Sequence, residues 1–144
     1  MIKVHLVYDE LISRVIPNNV IICSTEDTQL VSECIDLFNA EIKWDGMFTI
    51  DDAINRFKHG QRFFVGYYKD TLFGYCWVQT FDTDTHIIFN VFSKHTDYKR
   101  TYGATDILHH VIKNELAVGN VIAYVDDWNV KSLNVFNKLG FKQL

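Results

Sequence analysis

Towards its end the 144-residue chain carries Asn129-Val-Lys-Ser132-Leu-Asn-Val-Phe136-Asn-Lys138-Leu-Gly140-Phe141, which sets an amide, a hydroxyl and an aromatic ring about one helical turn apart. Ser132 as a nucleophile would need a partner to take its proton, and none is visible in the sequence, so a small helical residue is the simpler reading. Asn129, behind Asp127 and Trp128, sits where asparagine is favoured as a helix cap. The pair His109-His110 suggests a metal. Adjacent helical residues point in different directions, however, and no third ligand lies three or four positions away, so no metal is expected. Cys23, Cys34 and Cys76 are odd in number, far apart and without a CxxC, and read as small core residues in a reducing compartment.

The elements that position these residues follow from periodicity. Ile2, Val4, Leu6 and Tyr8 alternate as in a strand, and the run from Leu11 to Ile16, stopped by Pro17, predicts one or two helical turns. A short apolar strand over 20–23 precedes a helix over about 27–42, whose stripe is Leu30, Val31, Cys34, Ile35, Phe38 and Ile42. A second helix is predicted from the capping pattern of Thr49 and Asp52 to Gly60. Three strands, Arg62 to Tyr68, Leu72 to Phe81 and Thr85 to Phe92, have short polar connections that predict an antiparallel meander. A helix from Ala104, with Ile107, Leu108, Val111, Ile112 and Leu116 on one face, leads to Gly119. The continuous apolar run 120–125 is a strand buried on both faces. The closing helix, with Leu133, Phe136 and Leu139, and a last strand at 141–144 complete a mixed α/β sheet.

Composition bounds the function. With 48% hydrophobic and 22% charged residues, one proline and seven glycines, the sequence contains no linker or low-complexity tract, and residues 1–144 are expected to form a single domain. A formal charge of −4 excludes nucleic-acid binding driven by phosphate neutralisation, while leaving room for a local basic patch on a small anion. Lys3, His5, Asp9 and Glu10 interrupt the first ten residues, so neither a signal-peptide core nor a membrane span is expected there. The expectation is a cytoplasmic protein.

The closing stretch, as Asn129, Ser132, Phe136, Lys138, Gly140 and Phe141, resembles the closing motif of the Gcn5-related N-acetyltransferases, and the order of elements matches that family from about residue 20 onwards. The resemblance implies a central mixed sheet flanked by about four helices, splayed between its fourth and fifth strands to admit acetyl-CoA. It places Phe89, Asn90 and Val91 beside the pantetheine arm, with Asn129 and Ser132 facing the same gap. The pyrophosphate would rest on residues 98–105, at the start of a helix whose first amides lack intrahelical partners. Two alignments of the family's loop pattern compete there. One uses Lys99, Tyr102 and Ala104, the other Arg100, Gly103 and Thr105. A side chain at Tyr102 would crowd a diphosphate or disfavour a left-handed backbone. Lys94, Lys99 and Arg100 are the cations at hand.

The family commonly uses a tyrosine of the closing helix to protonate the departing thiolate, and this sequence has Phe136 there. The resemblance therefore implies either transfer from acetyl-CoA to a small-molecule or protein amine in a ternary complex, with the thiolate leaving unaided, or a catalytically silent binding module on the same fold. Asp82, Asp84, His86 and Asp126 are candidates for deprotonating the amine, Asn129 and Ser132 weaker catalytic candidates. Trp44, Met47 and Phe48 fall where the family builds its acceptor wall. Family members end in a two-stranded hairpin, whereas the sequence is expected to stop in the first of those strands. The sheet edge left there calls for cover, by the strand Ile2 to Tyr8 or by a second subunit in a homodimer.

Overall fold

The computed structural model of the protein describes residues 1–41, 51, 54–55, 59–81, 84–94, 100–116 and 119–144. Strand β1 (Ile2–Val7) is followed by a 3-10 turn (Tyr8–Glu10), β2 (Val20–Thr25) and helix α1 (Thr28–Glu41). Then come β3 (Arg62–Tyr68), β4 (Thr71–Phe81), β5 (Thr85–Ser93), helix α2 (Ala104–His110), β6 (Asn120–Val125), helix α3 (Val130–Lys138) and β7 (Lys142–Gln143). Helix α2 runs on without a break into a π-helical turn, Val111–Glu115, closed by Leu116 N–H donating to the Val111 carbonyl at 3.0 Å. The predicted helix over 49–60 lies largely outside the described residues, of which Asp51, Ile54 and Asn55 are helical.

The sheet has seven strands in the order β2-β3-β4-β5-β6-β1-β7. Among the described residues only β5 and β6 pair in parallel. The β3–β4 turn is tight because Lys69 and Asp70 both take positive φ, 47° and 68°, the two-residue geometry that matches the twist of the flanking strands. Alternating residues send two sets of side chains to opposite faces. Phe63, Val65, Tyr75, Trp77 and Phe92 meet Val31, Cys34 and Ile35 of α1. Val4, Leu6, Phe64, Cys76, Val78, Ile88, Val121 and Ala123 meet α2 and Phe136 and Leu139 at the α3 end. Each large side chain so buried contributes on the order of 1.5–3 kcal/mol. Helix α2 approaches closely because Gly66 and Gly74 face each other across β3 and β4. A Cβ on either would come within 2.9 Å of Ile107 Cδ1.

One expectation is corrected. Residues 11–17 form no helix. Their backbone is held across the chain, with Ile12 N–H on the Leu139 carbonyl at 3.0 Å and Arg14 N–H on His109 Nε2 at 3.2 Å, so tertiary acceptors replace intrahelical ones. The first of the two expected covers is present: β1 pairs antiparallel with β6 on one side and with β7 on the other.

The cysteines bear on stability. Cys34 and Cys76 are buried and Cys23 is exposed on β2. Burial pushes the Cys34 thiol from 9.0 up to about 12, and Cys76 higher still. A raised folded-state pKa leaves stability whole below the unfolded value and removes it as pH climbs towards the folded one. The urea midpoint is therefore expected to hold from pH 7 to about 9 and fall above that. Near neutral pH one equivalent of a thiol reagent should react with the native chain and three after unfolding; rapid labelling of a second native thiol would contradict the closure of the α1 face at Cys34 or of the α2 face at Cys76.

Candidate active site

The feature that could admit a ligand is a wedge between β5 and β6. The two strands pair at Thr85–Asn120, His86–Val121, Ile87–Ile122 and Ile88–Ala123, and there the ladder stops. Beyond it β5 continues through Phe89–Ser93 and stays bonded to β4, while Tyr124 and Val125 of β6 stay bonded to Lys3 and Ile2 of β1. The cause lies in β5 itself. Trp77 faces Asn90 and Val78 faces Ile88, so Phe89 is an extra residue, and a bulge of this kind bends its strand and strengthens the local twist. The outcome is a length of β5 in mid-sheet along which β6 no longer runs as a paired neighbour.

The open end of the wedge is also where α2 begins. Ser93 at the end of β5 lies opposite Gly74. The neighbouring Phe73 packs edge-on against Tyr102 with ring centroids 4.8 Å apart. Gly103 precedes the helix, its carbonyl accepting from Asp106 N–H at 3.1 Å. The amides of Ala104 and Thr105 fall in the first turn, where helical geometry supplies no acceptor. Thr105 Oγ1 in the same turn is buried without a hydrogen-bond partner.

Tyr102 is set by its backbone and its ring neighbours. It does not take positive φ. Its ring stacks on Tyr68 of β3 at 4.1 Å with an interplanar angle of 13°. Tyr68 and Phe73 belong to β3 and β4, so aromatic neighbours on those strands hold the ring. It is 9% exposed and part of the core.

The charges at the mouth come from two distant segments. Asp106 is fully buried, and its Oδ1 accepts from Arg14 Nε at 2.7 Å. Its Oδ2 accepts from Gly103 N–H at 2.9 Å, a carboxylate reaching back to the helix start as in the second half of a capping box. His109, one turn on, is lowered from its ordinary pKa by burial, then by Lys113 and Arg14, against an opposing pull from Asp106. It stays a neutral acceptor for the Arg14 N–H.

The remaining candidates divide. Phe89, Asn90 and Val91 lie on the part of β5 beyond its ladder with β6, partly exposed, and Asn90 Oδ1 is buried without a partner. Asp126 directly follows β6, and its carbonyl accepts from Asn129 N–H at 2.9 Å. Asn129 caps α3, its Oδ1 accepting from Ser132 N–H at 3.2 Å. These residues border the wedge on its two sides. His86 does not join them: it sits in the paired segment of β5, 2% exposed, with Nδ1 3.0 Å from Thr80 Oγ1. Asp84 is also at the closed end, its carbonyl accepting from Asn120 N–H at 2.8 Å. Arg100 is exposed two residues before Tyr102, as is Lys94 just after β5. Lys99, Asp82, Trp44, Met47 and Phe48 lie outside the described residues.

Sequence reasoning missed Arg14 and Asp106. The signal was there: Asp106 interrupts the apolar face of a helix, and Arg14 is the one charge between Leu11 and Ile16, each of which invites a search for its partner. Among the described residues no group of three or more histidine, cysteine, aspartate or glutamate side chains could hold a metal ion, and no helix is long and apolar enough to cross a membrane.

No family model matches the sequence, and no curated protein does. Solved structures do. A GCN5-related N-acetyltransferase from Kribbella flavida aligns over 99% of this chain and 53% of its own, with a TM-score of 0.61 and 8% identity. A Drosophila protein aligns over 99% and 47%, with a TM-score of 0.71 and 9% identity. The Salmonella typhimurium protein yncA, solved with its cofactor acetyl-CoA, aligns over 87% and 80%, with a TM-score of 0.62 and 17% identity. The chain spans about half the length of the Kribbella and Drosophila chains. Its seven-stranded mixed sheet, parted between β5 and β6 and flanked by helices on both faces, is the fold of the Gcn5-related N-acetyltransferases.

Proposed function

We propose that the protein is an acyl-CoA-dependent N-acyltransferase, taking acetyl-CoA into the β5–β6 wedge and passing its acetyl group to an amine. The observation that carries this reading is the ladder that stops at Ile88–Ala123. A strand flank in mid-sheet that its neighbouring strand has left suits an extended chain bearing amide groups of its own, such as pantetheine. Acetyl-CoA would supply the activated thioester. The chain's own residues do the rest: β5 backbone at Phe89–Val91 orients the pantetheine, and the first amides of α2 with the exposed Arg100 receive the phosphates.

Transfer would be direct. Cys34 and Cys76 are buried with raised pKa values, and Cys23 lies on β2, the far edge strand, three places from β5. None can carry an acetyl group across the wedge. Of the candidate bases among the described residues, Asp126 is the one next to the open part of the wedge.

Phe136 bears on turnover. It is 3% exposed, its ring edge-on to Phe141 at 4.9 Å, and it has no proton to give a departing thiolate. Phe136→Tyr is therefore expected to speed thiol release from acetyl-CoA, with a panel of amines, by roughly 10–100-fold, with CoA affinity unchanged by calorimetry. The same residue favours a second reading, a silent binding module, which would show as micromolar CoA binding with no turnover in either protein. No binding at millimolar CoA would overturn both.

A further inference from the structure

We infer that Arg14, carried on the segment 11–17 that straps across α2 and the end of α3, is a positioning residue for the phosphate end of the cofactor site. The inference rests on the acetyl-CoA reading above and concerns residues that the closing motif does not include.

The geometry forms one continuous chain of contacts. Arg14 Nε donates to Asp106 Oδ1 at 2.7 Å, and Gly103 N–H donates to the other oxygen at 2.9 Å. Gly103 is the residue before α2, so the guanidinium acts through the carboxylate on the backbone of the turn meant to receive phosphate. Arg14 is partly exposed, at 28% of its side chain, whereas Asp106 is wholly enclosed at 0%. An enclosed carboxylate is tolerated when its charge is met and its oxygens are bonded, and removing the partner leaves it uncompensated.

The same carboxylate sets an electrostatic problem. A negative charge in the first turn of α2 is welcome to the helix but opposes a diphosphate brought to the same turn. Arg14 cancels it. With the pair intact the described turn offers amides and Arg100 without an uncompensated Asp106 charge, and the Gly103 amide faces the carboxylate in a fixed orientation. The strap does not depend on the guanidinium alone, because Ile12 N–H and Arg14 N–H keep their bonds to Leu139 and His109 whatever the side chain at position 14. Asp106 and Gly103 thus respond to Arg14 as a charge, and the strap remains to carry a substitute.

The test is calorimetric titration of CoA into the wild type, Arg14→Ala, Arg14→Lys and the double variant Arg14→Ala/Asp106→Asn, each checked by circular dichroism and assayed well below its melting temperature. Arg14→Ala is expected to weaken CoA binding roughly 10–100-fold. Arg14→Lys should stay within a few-fold of the wild type, since the charge is kept. The double variant should recover most of the loss, because a neutral amide no longer opposes phosphate and its oxygen can still accept from Gly103 N–H. A purely structural arginine would lower the melting temperature in Arg14→Ala without moving CoA affinity, and that outcome overturns the inference while leaving the cofactor reading in place, as does a double variant that binds no better than Arg14→Ala. If Arg14→Ala does not fold, the comparison of wild type, Arg14→Lys and the double variant decides in the same way: a double variant near wild type supports the inference and one far weaker overturns it. Absence of CoA binding by the wild type overturns the cofactor reading and the inference together.

Discussion

Gly119→Ala is expected to cost about 3–5 kcal/mol and lower the melting temperature by roughly 10–20 °C. Gly119 holds φ at +140°, and a Cβ built there would overlap the carbonyl of Asp84, the atom that accepts the Asn120 amide. Neither partner can retreat cheaply, since Asp84 immediately precedes β5 and Asn120 begins β6. Backbone strain and overpacking therefore add at one spot. The spot is the closed end of the wedge, so the variant should also lose register between β5 and β6. Thermal unfolding followed by circular dichroism reads the effect, and a melting point within a few degrees of the wild type would show that the junction is looser than its geometry.

Gly103→Glu is expected to reduce CoA affinity by more than about 100-fold while the folded chain keeps its circular dichroism spectrum. The backbone there is extended, with φ 177° and ψ −157°, which an ordinary residue can adopt. The added carboxylate would stand beside Asp106, doubling the negative charge at the helix start where Arg14 can cancel only one. Isothermal titration with CoA decides the matter. Undiminished affinity in a folded variant would place the phosphates elsewhere.

How much of this the sequence shows depends on how local each cause is. The meander from Arg62 to Ser93 is set by alternation and by short turns, so its strands were legible to within a residue or two. The closing helix was legible from Asn129, Leu133 and Phe136, and Asn129 does cap it. The wedge was legible only through the resemblance: the bulge at Phe89 leaves no mark in composition, because one extra residue in a strand of mixed burial looks like ordinary alternation. The strap was misread because Leu11, Ile12, Val15 and Ile16 have a spacing that suits a helix, while the acceptors that hold the segment, Leu139 and His109, lie far along the chain. Which way the Tyr102 ring turns is not legible from its position alone, because Tyr68 and Phe73, which receive it, lie far back in the sequence.

The placement of β1 has a temporal consequence. His5 of β1 bonds to Asn120 of β6 across 115 residues of sequence, whereas β2, β3, β4 and β5 are neighbours joined in order. Contacts between distant segments form late, since the loop they close is long. During synthesis the meander can be in place while β1 still waits for its partner, and one bank of the groove is then finished well before the other exists.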